Sequence, residues 1–244
     1  MKLIIFGLHT RCGTTSLIKS FAQSSSLEMY EEPFNHGVNE RLDRPRYEQM
    51  PFEESYKILS DKYDGIKTFM MHPKHTRTHD ETFKYNEKLI KKSPNVIMMY
   101  RSRWVWAHIS EHMSWSYSRI VYPPKYIWQP EQLTGEERNK FFSMKRPPIN
   151  ITGMIAKYNH VKEYKQKYEK IGHRFVLLDY DKYFSDHSIN AVFKSTVERL
   201  GADILNDKWK TLLSPDRKMN NEEMYEKLIP NYSKVIEYGE ELIL

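Results

Sequence analysis

Short apolar runs alternate with longer amphipathic stretches from the first residues of this chain onward. KLIIFG at 2–7 is a compact apolar run closed by glycine, the pattern of a buried strand entering a loop. From Thr14 the residues TTSLIKSFAQ place Leu17, Ile18 and Phe21 on one helical face. A second strand is expected at 27–31, a helix at 53–63, a strand at 65–71 (GIKTFMM) and a charged amphipathic helix at about 80–92. NVIMMY at 95–100, opened by Pro94-Asn95, is the clearest central strand. Helices are expected at 103–118, 151–171, 188–200 and 221–242, with a last strand at 174–180 (RFVLLDY). Residues 119–150 are rich in proline, tyrosine and charge and have no clear period.

Alternation of strand and helix predicts an α/β fold: three layers around a central parallel sheet, with a P-loop-like strand-loop-helix start. The expected organisation is a single domain over 1–244, interrupted by a long irregular excursion at about 119–150. Ligands of such sheets bind beyond the carboxyl ends of the strands. Arg11, Lys67, Arg101 and Tyr180 all fall at or near such ends in this reading.

Composition narrows the classes. Hydrophobic residues at 39% are enough for a sizeable core, which argues against global disorder. The formal net charge of +6 favours an anionic ligand only weakly. Its distribution says more: between Lys67 and Ser110 nine Lys/Arg face three Asp/Glu, an excess equal to that of the whole chain. A solvated basic helix at 84–92 accounts for part of it; Lys67, Arg101 and Arg103 at a sheet edge suit phosphates. No aromatic-interleaved basic stripe or known module points to nucleic acid. The single cysteine, Cys12, excludes an intrachain disulfide and a cysteine metal cluster. The apolar start is too short for a signal peptide and no run is long enough to span a membrane, so a soluble, cytoplasmic protein is expected.

The turn from first strand to first helix reads Gly7-Leu8-His9-Thr10-Arg11-Cys12-Gly13-Thr14-Thr15-Ser16. Gly13 lets backbone N–H groups approach an anion, the following helix turns its positive end to the same spot, and Arg11, Thr14, Thr15 and Ser16 add charge and hydroxyls. A helix capped near Thr14 needs no ligand and is the bland reading. A nucleotide-triphosphate loop requires GxxxxGK followed by Ser or Thr, whereas Thr stands at position 14.

This segment resembles the loop by which sulfotransferases hold the 5′-phosphosulfate of 3′-phosphoadenosine-5′-phosphosulfate (PAPS), usually Arg/Lys-Ser-Gly-Thr-Thr, with Cys12 in place of the serine. The family also places an arginine at a strand end and a serine on the next helix around the 3′-phosphate. Here MMYRSRWVWAHIS offers Arg101 and Ser110, nine apart where the family has about eight. Other pieces are similar in order and spacing. FVLLDYDKYFSD puts Tyr180 where the family has a tyrosine near the adenine, and ERLGAD at 198–203 resembles the helix end that follows. Arg217-Lys218 matches a late basic loop over the cofactor, EEPFN at 31–35 the EPF stretch of carbohydrate and bacterial sulfotransferases, and GIKTFMMH their next, lysine-bearing strand. The resemblance covers most of the chain except 119–150. It implies transfer of a sulfuryl group from PAPS to a hydroxyl acceptor, with carbohydrates the favoured class.

Such a reaction needs the leaving phosphate stabilised and a base for the hydroxyl proton. Arg11, Lys67 and the loop N–H groups suit the first task, and no metal is expected. His72, His75 and His79 have spacings compatible with a metal but suit exposed loop histidines better. The base candidates are Glu32, Glu31, His36 and His72. Glu32 comes first because it precedes Pro33-Phe34 as the family's acidic residue does, and His36 second. Tyr122, Tyr126, Trp128, Phe141 and Phe142 suit either a sugar surface or a small hydrophobic cluster. The competing reading is a nucleotide or small-molecule kinase with an atypical phosphate loop.

Overall fold

The computed structural model describes residues 1–72, 78–120, 133, 135–172, 175–214 and 222–244, except for the side chains of Arg41 and Ile120. Five parallel strands, β1 (Leu3–Gly7), β2 (Met29–Glu31), β3 (Gly65–Phe69), β4 (Val96–Tyr100) and β5 (Phe175–Asp179), form one sheet in the order β2-β3-β1-β4-β5. Ile5 stands opposite Lys67 on one side and Ile97 on the other, and Lys67 stands opposite Glu31. Helices flank the sheet, so the fold is the three-layer α/β arrangement expected from the alternation of elements. No helix among the described residues is long and apolar enough to cross a membrane.

The chain divides into two compact units, Met1–Tyr100 with Glu163–Pro215, and Arg101–Lys162 with Asp216–Leu244. In the first, the strand period of two sends alternate side chains of β1 to opposite faces. Leu3 and Ile5 join a core with Leu17, Ile18 and Phe21 of α1 (Thr14–Ser24), Phe193 of α9 (Ser188–Arg199) and Trp209 of α10 (Lys208–Leu212). On the other face Phe6 meets the ring of Tyr168, near the end of α7 (Ile151–Glu169), at 4.9 Å between centroids. Tyr168 in turn packs on Phe83 of α4 (His79–Lys92). α4 begins with a capping box, Thr78 Oγ1 accepting from Glu81 N and Glu81 Oε2 accepting from Thr78 N. Its Lys84, Lys88, Lys91 and Lys92 are exposed, which is the solvated basic helix.

The second unit contains α5 (Trp104–Ile120), α6 (Gly135–Ser143) and the first turns of α7. Where one helix was expected at 221–242, there are two, α11 (Glu222–Leu228) and α12 (Tyr232–Gly239). Pro230 lacks an N–H and disfavours helix in the residue before it. Asn231, next to the break, donates to Ile149 O and accepts from Ile149 N. α6 lies inside the stretch expected to be irregular, and its Phe141 is fully buried against Tyr117. The buried Arg146 side chain donates to the carbonyls of Phe141 and Met144 and lies over both rings. Phe141 is therefore part of a packed cluster. Tyr122, Tyr126 and Trp128 lie outside the described residues.

Candidate functional site

The first strand runs into its helix through a strained turn. Arg11 has φ 64 and Gly13 φ 84, both left-handed. Glycine takes that conformation freely and arginine does not; such outliers concentrate at functional sites. Gly13 is also the N-cap of α1 and has no side chain to offer, so the first-turn N–H groups receive no cap from that position. A Cβ on Gly13 would stand 2.5 Å from the Tyr180 ring, so glycine is needed there for space as well. The Tyr180 and Phe184 rings pack together with centroids 4.5 Å apart, one turn apart along the chain.

Within the loop the side chains divide. Cys12 is turned fully inward, its Sγ donating to His9 O at 2.9 Å, and burial pushes its thiol up to about 11. Thr14 is buried, with its Cγ2 3.2 Å from where a Cβ on Gly7 would stand. Thr15 faces the other way: its Oγ1 accepts from Lys67 Nζ at 2.9 Å.

Lys67 is buried inside the sheet. It occupies the middle of β3, two residues before the strand ends, and its side chain is 1% exposed. A buried ammonium requires a partner, and Nζ lies 2.7 Å from Glu32 Oε1 as well as on Thr15. The Phe69 ring, two residues on and so on the same strand face, lies 5.3 Å from Nζ.

Glu32 follows β2 and has φ 54, left-handed in a non-glycine residue. Its N–H donates to Lys67 O, extending the β2–β3 ladder by one bond, and the backbone then turns into Pro33. Asn35 Nδ2 donates to Oε2 at 2.5 Å, so each carboxylate oxygen has a donor. Burial pushes this carboxyl up, but Lys67, with His72 and Asn35 adding to it, prevails and holds it below the usual glutamate value. His72 Nδ1 is shielded from solvent and has no hydrogen-bond partner among the described residues. Burial lowers the His72 imidazole to about 4, against the opposing pull of Glu32.

His36 opens the short helix α2 (His36–Arg41) and is engaged elsewhere. Its Nδ1 lies 3.1 Å from the buried Glu48 Oε1, and its Nε2 3.6 Å from Glu40. Glu48 also accepts from Asn39 Nδ2 at 2.9 Å. Glu31 is the last residue of β2, and its carbonyl accepts from Arg44.

The structure thus brings together Lys67, Glu32 and Thr15, and sets Tyr180 against Gly13. Arg101, the first residue past β4, is 3% exposed, and Ser110 on α5 is 6% exposed; both belong to the second unit. Arg103 is exposed and lies over Trp106. Arg217, Lys218 and His75 lie outside the described residues. Sequence reasoning missed Asn35 and Phe184. The Tyr180/Phe184 spacing of four was a usable signal; Asn35 gave none beyond its place three residues after Glu32.

Comparison with family models, with curated proteins and with solved structures found no match to this chain.

Proposed function

We propose that this chain is a sulfotransferase that moves a sulfuryl group from PAPS to a hydroxyl acceptor, with carbohydrates the first class to test. The observation that carries the reading is the position of Lys67 Nζ, held between a hydroxyl of the anion-type loop and the carboxylate of Glu32. One buried cation thereby links the place where a phosphate would sit to the group that would take a proton.

PAPS supplies the sulfuryl group and leaves as a phosphate. The acceptor oxygen bonds to sulfur as the bond from sulfur to the 5′-phosphate oxygen breaks, and the electron pair stays on that oxygen. Lys67 and Arg11 stabilise the charge that builds there. Glu32 accepts the hydroxyl proton. Its lowered pKa keeps it ionised at neutral pH, and movement of Lys67 towards the leaving oxygen frees Oε1 and restores basicity. His36, tied to two carboxylates, ranks behind it. The family resemblance assigns Tyr180 to the adenine, Arg101 and Ser110 to the 3′-phosphate, and Arg217-Lys218 to the nucleotide.

Thermal-shift titration tests the cofactor. 3′,5′-Adenosine bisphosphate at a hundred times its Kd should stabilise the fold by about 2.7 kcal/mol. Stabilisation by magnesium-ATP and not by the bisphosphate would overturn the reading in favour of a kinase.

A further inference from the structure

Glu32 is held at both oxygens, but the two holds differ in kind. Oε1 is held by Lys67, the cation that the proposed reaction draws towards the leaving group. Oε2 is held by Asn35 Nδ2, a neutral donor. Asn35 is itself fixed: its Oδ1 accepts from Val38 N as the N-cap of α2, and its N–H donates to Glu32 O. The left-handed backbone of Glu32 turns its carboxylate back onto this bracket.

We infer that Asn35 is the positioning residue for the base, keeping Glu32 aimed and ionised through Oε2 once Lys67 has let go of Oε1. This rests on the sulfuryl-transfer reading of the site. Among the described residues, the charged or titratable groups that act on the carboxylate are Lys67 from β3 and His72 from the segment after it. When Lys67 moves away, Asn35 Nδ2 still donates to Oε2.

Asn35→Ser separates this role from capping. Serine is as good an N-cap as asparagine, but its hydroxyl is too short to serve the carboxylate as well. A hydrogen bond to a charged group shifts the equilibrium by about one pH unit or more. The carbon-13 titration of Glu32 in the serine variant should therefore move up by about one unit. The acid limb of the PAPS-dependent rate against pH should move with it. In a Glu32→Gln background the same substitution should leave turnover unchanged, because there is no base left to position. Should the serine variant fail to fold, Asn35→Asp caps as well and gives a larger upward shift, a second negative charge replacing the donor. An unshifted titration and rate profile in a folded variant overturns the inference, whatever happens to Tm. A shifted titration in a protein that does not bind 3′,5′-adenosine bisphosphate overturns the sulfotransferase reading and leaves the positioning intact.

Discussion

The ring of Tyr180 lies directly against Gly13, where a Cβ on residue 13 would stand 2.5 Å from ring carbon Cδ2. The loop between β1 and α1 is therefore shaped from outside, by the first residue after β5, as well as by its own backbone.

Two separable costs follow for Gly13→Ala. An L-residue at φ 84 costs roughly 1–2 kcal/mol, and the ring clash adds to it. Chemical denaturation should show a loss of at least about 2 kcal/mol in the wild-type background. In a Tyr180→Ala background most of the ring part should go, and the backbone part, roughly 1–2 kcal/mol, should remain. Equal losses in both would mean that the ring contact has no energetic weight.

Cys12 should be chemically silent in the native protein. Its thiol is fully buried, donates to His9 O, and is pushed up to about 11 by burial. Thiolate, the reactive form, is then scarce and shielded at neutral pH. Labelling by a thiol reagent should be slow and should accelerate sharply in denaturant. Rapid stoichiometric labelling of the native protein would contradict the inward orientation.

β1, β4 and β5 were legible because each is a short, largely apolar run bounded by glycine, proline or charge, a signal that depends only on neighbours in sequence. The short helices α2, α10 and α8 (Tyr180–Tyr183) were not, because helices of four to six residues have too few turns to show a period. At the site, Lys67 and Glu32 stood out as residue types, but their direct pairing did not. A lysine in mid-strand gives no local sign that its partner lies 35 positions earlier on a neighbouring strand's end. Asn35 was illegible for the same reason: its role depends on the left-handed turn at Glu32, which the following proline hides.

His72 should remain neutral across physiological pH. Burial lowers its imidazole from 6.5 to about 4, so the unfolded chain binds a proton between those values and the folded one does not. Stability from this group is present above pH 6.5 and is lost as pH falls from there towards about 4. Tm should fall over that window more steeply in the wild type than in His72→Gln. A His72 proton resonance that titrates near neutrality would refute this.

Arg101 and Arg103 should differ sharply if the 3′-phosphate assignment holds. Arg101 is buried directly after β4; Arg103 is exposed and lies over Trp106 at 5.6 Å. Charged hydrogen bonds contribute on the order of 1.5–3 kcal/mol, so Arg101→Ala should weaken 3′,5′-adenosine bisphosphate binding roughly tenfold or more. Arg103→Ala should leave it unchanged. Calorimetry showing the reverse would place the second motif two residues later.

The Lys67–Glu32 pair allows stability to be separated from the proposed catalysis. Breaking a buried ion pair from one side leaves an uncompensated charge and typically costs about 3–5 kcal/mol. Lys67 is the more deeply buried partner, 1% against 18% exposed, so Glu32→Gln, which strands the ammonium, should destabilise at neutral pH more than Lys67→Met. Glu32 in the Lys67→Met variant can relieve its isolation by taking up a proton. The sign with pH follows: the folded pKa of Glu32 lies below its unfolded value, so the pair's stabilisation is present above the ordinary glutamate range and is lost as pH falls through the folded value. Lys67→Met should therefore approach wild-type stability in acid and fall short of it near neutrality. The double variant Glu32→Gln/Lys67→Met removes both charges and should be more stable than Glu32→Gln alone. Turnover should not follow that recovery. Glu32→Gln should lower it by about 10²–10⁴ while bisphosphate affinity stays near normal, and the double variant should be no faster. Denaturation at neutral and acid pH, alongside labelled-PAPS assays on a panel of sugars and phenols, measures both. Near-normal turnover in Glu32→Gln, with loss in His36→Ala or His72→Ala, would give the proton to an imidazole and reduce the Lys67–Glu32 pair to a structural contact.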